Sequence, residues 1–201
     1  MLTINEIKKA SGMFNIPKEI HVNKNICFDF RLFSALVEPN HDGKDRDYKY
    51  DFDVYLPKFG INLQRPYVWE HYQQQEFIMS LLQEKPIDSI IIVSYSYDST
   101  RSNVTNYVID GKQRLMTIQK FGRNEFPIVL NGKEYYFKDF DKDLQRFFES
   151  RVNYLTGTVY YTYPDIPASE EILITLFNFY NFAGTPQTDE HKNKLQNLLK
   201  K

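Results

Sequence analysis

At 201 residues the chain is long enough for one good hydrophobic core, and a single domain over 1–201 is the expectation. Charged residues at 25% and aromatics at 16% exclude a disordered chain, and one cysteine excludes an internal disulfide framework. A net charge of −1 argues against a broad non-specific nucleic-acid surface, and the four dispersed histidines lack zinc-ligand spacing.

Residues 1–20 are expected to form a short helix, and Glu19 to Val22 an edge strand. Cys27, between Ile26 and Phe28, reads as an inert core thiol. Phe28 to Val37 has the spacing of a short amphipathic helix, stopped before Pro39. His41 to Tyr50 is charged and turn-rich, so it reads as an exposed loop. Phe52 to Leu56 is expected as a strand and 57–60 as a turn. Ile61 to Trp69 reads as an irregular or edge segment because Pro66 denies it a ladder bond. A helix is predicted over 70–85, with Phe77, Ile78, Leu81 and Leu82 on one stripe, and a buried strand over Ser89 to Tyr95. A polar loop, Asp98 to Asn103, leads to a strand at 106–109 and a helix carrying Leu115, Ile118 and Phe121, with Gly122 at its end. Asn131-Gly132, between two strand-like runs, predicts a hairpin with a type I′ turn. Leu144, Phe147, Phe148 and Val152 mark another helix, and Gly157 to Tyr163 another strand. Ile172 to Tyr180 is predicted as a helix capped by Ser169, and a last helix is predicted after the break at 181–186, with Thr185 as its cap and Pro186 at its first position. The sum is one mixed α+β domain with no repeat or linker. No apolar run reaches membrane-spanning length and no signal peptide opens the chain, so a soluble, cytoplasmic protein with no membrane partner is expected.

The chemistry concentrates in the strand, turn and helix around Asp110-Gly111-Lys112-Gln113-Arg114. Gly111 permits a sharp turn and close approach of a ligand to the backbone. The first N–H groups of the following helix lack internal partners and favour an anion, and Lys112 and Arg114 add two cations. Turn chemistry with a solvated Lys and Arg is the competing reading.

Three segments would share this site: Gln64-Arg65, the 110–114 turn, and Asn181 to Pro186. Arg65 and Arg114 would clamp polyphosphate oxygens. Asp110 would hold magnesium, directly or through water, or orient an attacking water, while Gln64 and Gln113 would position phosphate or water. Against these stand plainer roles: Trp69 as a core residue rather than a base platform, and Arg65 as the bridge to a buried carboxylate.

At these residues the chain resembles a known family, the ParB-like N-terminal domain of GmrSD-type, modification-dependent restriction enzymes (domain of unknown function class 262). The resemblance runs from about Phe52 to Leu195, leaving 1–51 as an N-terminal extension. It rests on Val54-Tyr-Leu-Pro, Asn62-Leu-Gln-Arg-Pro-Tyr-Val-Trp69, Val108-Ile-Asp-Gly-Lys-Gln-Arg-Leu115, Asn124-Glu-Phe-Pro-Ile128 and Asn181-Phe-Ala-Gly-Thr-Pro-Gln187. It implies a fold related to ParB and sulfiredoxin, a mixed sheet with surrounding helices. It also implies binding and hydrolysis of a nucleoside triphosphate with Mg2+, regulating DNA cleavage by a metal-dependent HNH domain.

The matching positions are Gln64, Arg65, Asp110, Gly111, Gln113 and Arg114. Asp110, Gln113 and Arg114 are then the candidate catalytic group, with Asp110 at the metal. Gln64, Arg65, Gly111, Lys112, Asn181 and Thr185 are the candidate nucleotide contacts. The commoner family residue at Lys112 is Gln. No HNH pattern follows, so the chain is expected not to cut DNA on its own, and a turn without cysteine argues against sulfiredoxin chemistry.

Two function classes remain. One is a magnesium-dependent NTPase governing a restriction or anti-restriction activity, of a host, phage or mobile element, in an effector protein partner. The other is a non-catalytic module that senses nucleotide or DNA. DNA contact would need a local patch, for which Lys58, Arg65, Arg101 and Lys112 are the candidates.

Overall fold

Strict alternation in Ile90-Ile-Ile-Val93 sets the architecture: Ile90 and Ile92 pack into one buried cluster, Ile91 and Val93 into another. A strand apolar on both faces must be covered on both. The computed structural model describes residues 21–27, 32–37, 47–96, 103–161 and 170–182, and the elements below lie among them.

Strands β1 (His21–Cys27), β2 (Asp47–Asp51), β5 (Ile90–Ser96), β6 (Asn103–Asp110) and β9 (Thr156–Tyr161) form one mixed sheet in the order β1-β9-β5-β6-β2. β5 lies parallel to β9 and antiparallel to β6, and β2 closes one edge parallel to β6. One face carries α1 (Leu32–Val37), α2 (His71–Leu82), α3 (Lys112–Gly122) and α4 (Lys142–Asn153). The other carries α5 (Glu170–Phe182) and the small ribbon of β3 (Tyr55–Leu56) and β4 (Ile61–Asn62). A separate hairpin pairs β7 (Ile128–Leu130) with β8 (Lys133–Tyr135).

The α+β class is borne out, and so is the hairpin: Asn131 and Gly132 have φ of 52° and 76°, both positive as a type I′ turn requires. Asn181 and Phe182, expected in a break, are the last residues of α5, and two further local expectations are corrected. Residues 47–51 are a strand rather than part of an exposed loop, because parallel pairing from Asp47↔Asn103 to Asp51↔Tyr107 satisfies their backbone. Its charged sequence suits a sheet edge. Residues 52–54, expected in a strand, form a turn instead. The Asp51 carboxylate accepts from the amides of Asp53, Val54 and Tyr55 at 2.9, 2.8 and 3.3 Å, which bends the chain before it can pair. The expected helices at 1–20 and after Pro186, the loop at 98–102 and the Ser169 cap lie outside the described residues.

Aromatic packing holds α3 and α4 together. The fully buried Phe121 ring meets Phe126, Phe140 and Phe148 at 5.6, 5.6 and 5.3 Å between centroids. Gly122, within the last turn of α3, admits α1: a Cβ there would lie 2.5 Å from Val37 Cγ2. These contacts fix α3 against the sheet with its N-terminus at the end of β6.

Candidate functional site

Asp110 ends β6, Gly111 turns the chain, and Lys112 opens α3. Gly111 has φ 105°, and a Cβ on it would lie 2.9 Å from Ile90 Cγ2. Its missing side chain is therefore used for the turn and for packing on Ile90, where the sequence suggested an approaching ligand. The first bond of α3 runs from the Leu115 amide to the Gly111 carbonyl at 2.9 Å. The amides of Lys112, Gln113 and Arg114 precede it, and no side chain caps this end.

Gln64 and Asn181, from two of the three segments expected to share a site, meet at one carbonyl, that of Ile109, one residue before the third. Gln64 Nε2 donates to the carbonyls of Val108 and Ile109 at 2.7 and 2.8 Å. Asn181 Nδ2, on α5, donates to the same Ile109 carbonyl at 3.1 Å and to Phe177 at 3.0 Å. Thr185, the other expected contact from that segment, lies outside the described residues.

Several expected ligand contacts have structural partners. The Arg114 guanidinium donates to the Asp88 carbonyl, to the Ser89 carbonyl at 3.2 Å and to Asp110 Oδ2 at 3.0 Å. It thereby ties the entry to β5 onto the first turn of α3. Gln113 is buried, and its Oε1 accepts from the Val68 and Trp69 amides at 2.9 and 3.3 Å while Nε2 donates to the Pro66 carbonyl at 3.2 Å. Those three bonds, with Tyr67 Oη against Thr117 Oγ1 at 2.8 Å, bind the 66–69 segment along α3. Burial raises the Tyr67 pKa. Trp69 follows the plainer of its two readings: it is half-buried and packs on Phe77 at 5.4 Å.

Lys112 is 6% exposed, and its Nζ lies 2.6 Å from Asp53 Oδ1, whose side chain is 58% exposed. Asp53 carries no signal in the sequence, since its partner lies 59 residues away. Asp110 is half-exposed and accepts from the Gly111 amide at 2.8 Å. Arg65 is exposed and makes no hydrogen bond or ion pair with a described residue. Among the described residues Arg65 therefore bridges no buried carboxylate, the alternative role read for it. Of the expected DNA patch, Lys58 pairs with Glu171 at 2.7 Å, a contact that raises its pKa, and Arg101 lies outside the described residues. No group of three or more His, Cys, Asp or Glu that could hold a metal occurs among the described residues.

The model of the GmrSD restriction endonuclease N-terminal domain matches residues 44–201. The chain belongs to that family. Searches of the curated proteins and of the solved structures give no match. In this GmrSD N-terminal domain the motif residues Gln64, Gln113, Arg114 and Asn181 hold backbone carbonyls and amides in place. Arg65 is exposed and Asp110 half-exposed, whereas Gly111, Lys112 and Gln113 at the head of α3 are buried. No helix among the described residues is long and apolar enough to cross a membrane.

Proposed function

We propose that this domain binds a nucleoside triphosphate at the head of α3 and uses it to govern a DNA-restriction activity exerted with an effector protein partner. The observation that carries the reading is the convergence of Gln64 and Asn181 on the Ile109 carbonyl, one residue before the turn that leaves three helix amides uncapped. The donor set fits a polyphosphate: helix amides with positive dipole character and no side-chain cap, and an exposed guanidinium on Arg65. Asp110 is the carboxylate available to Mg2+, which would take its other ligands from phosphate oxygens and water. Bound magnesium would supply charge neutralisation on the phosphates.

In this reading Gln113 and Arg114 are positioning residues: Gln113 fixes the segment that follows Arg65, and Arg114 orients Asp110. Binding without turnover is the form favoured by the engagement of Gln113, whose amide oxygen accepts two backbone N–H groups and whose amide nitrogen donates to the Pro66 carbonyl. The restriction role is supported by the family description.

The test is calorimetric binding and phosphate release with each of the four nucleoside triphosphates, with and without Mg2+ and DNA. Binding is expected for at least one, weakened by about 1.5–3 kcal/mol in Arg65→Ala through loss of charge-assisted bonds. No binding under any condition would end the nucleotide reading, whereas rapid phosphate release would replace the sensor with an NTPase.

A further inference from the structure

The buried Lys112 ammonium has its counter-ion on the wrong side for a purely structural pair. Its side chain is 6% exposed, whereas that of its partner Asp53 is 58% exposed. A buried ammonium needs a partner, because desolvation without one costs several kcal/mol. Here that partner is a surface carboxylate that solvent or another anion can reach.

The Asp53 backbone is held independently of this contact. Its amide donates to Asp51 Oδ1 at 2.9 Å, and its carbonyl accepts from the Gln64 amide at 3.1 Å. The carboxylate can therefore leave Lys112 without the turn coming apart. The next residue, Val54, is fully buried with φ 51°, a left-handed backbone that a β-branched residue rarely adopts. Such backbone persists where the surroundings over-determine it, and it occurs at clamps and switches.

We infer that Asp53 is an intramolecular stand-in for the anionic ligand, a clasp that covers Lys112 until a phosphate of the bound nucleotide displaces it. The inference rests on the nucleotide reading above and adds its regulation. Lys112 is the first residue of α3, so its ammonium and the uncapped amides belong to one end of one helix. With the clasp shut, Lys112 is neutralised and the site favours its empty state.

The experiment uses the whole chain, tripolyphosphate as probe and calorimetry on the wild type, Asp53→Asn, Lys112→Gln, the double variant and Arg65→Ala. Asp53→Asn is expected to bind about five-fold or more tightly than the wild type, with the gain absent in the Lys112→Gln background. Arg65→Ala is expected to weaken binding. If the wild type binds in an Arg65-dependent manner and Asp53→Asn binds no tighter, the clasp is wrong and the nucleotide reading stands. If no form binds tripolyphosphate, both fall. Because Asp53→Asn uncovers a buried charge, its melting temperature should drop and should recover with tripolyphosphate by more than the wild type gains. Failure to recover overturns the clasp.

Discussion

Gln64 and Asn181, 117 positions apart in the chain, donate to one acceptor, the Ile109 carbonyl, at 2.8 and 3.1 Å. Ile109 lies at the end of an interior strand, and its carbonyl is where the 61–69 segment, β6 and α5 are joined. A side-chain amide is needed at both positions, since each must donate to a backbone oxygen.

Gln64→Leu is expected to lower stability by about 1–3 kcal/mol, because the Val108 carbonyl loses its side-chain donor and the Ile109 carbonyl keeps only Asn181. Asn181→Leu should cost less, as Ile109 keeps Gln64. The double variant should depart from additivity, since the two residues share a partner. Urea denaturation of the four forms measures this; strict additivity would show that the shared acceptor does not couple them.

Arg114→Lys is expected to destabilise the ligand-free protein by about 1.5–3 kcal/mol. An ammonium cannot span the Asp88 and Ser89 carbonyls and the Asp110 carboxylate as a guanidinium fork does. Arg65→Ala should leave stability within about 0.5 kcal/mol. Denaturation without nucleotide separates the two arginines; equal stability of both variants would return Arg114 to a solvated role.

Alkaline stability should be limited by the Tyr160–Tyr180 hydroxyl pair. Burial, then the bond to Tyr180, raises the Tyr160 pKa in the fold. The unfolded chain releases that proton near the ordinary tyrosine value of about 10. The folded form then holds more protons above pH 10, so stability falls as pH rises from there towards the folded pKa. Tyr160→Phe should flatten this limb, after an initial loss of about 1 kcal/mol near neutrality from the broken hydrogen bond. An unchanged limb in a pH series of melts would assign it to other groups.

DNA binding by the described surface should be weak, with a salt slope of about −1. Lys58 and Lys112 have carboxylate partners, which leaves Arg65 from the described part of the expected patch. Each neutralised phosphate contributes about −0.9 to the slope of log K against log salt. A fluorescence titration over a salt series gives the slope, and a value of about −2.7 would mean that the two paired lysines exchange their carboxylates for DNA.

Periodicity and turn chemistry in the sequence were enough for most elements. The hairpin at Asn131-Gly132, the helices around Phe77, Ile118, Phe148 and Phe177, and the turn at Gly111 all rest on local preferences, which act over a few residues. The likeness of three spaced motifs was enough for the family. The strand at 47–51 was not legible, because its charged sequence becomes β only when β6 offers a parallel partner. Nor were the roles within the site. Gln, Arg and Asn look alike in a sequence whether they meet a ligand or a backbone carbonyl. Only the tertiary fold brings Ile109 to Gln64, Ser89 to Arg114 and Asp53 to Lys112. Burial then decides which groups remain for a ligand: a buried polar side chain must find its partner inside the protein, and an exposed one such as Arg65 need not.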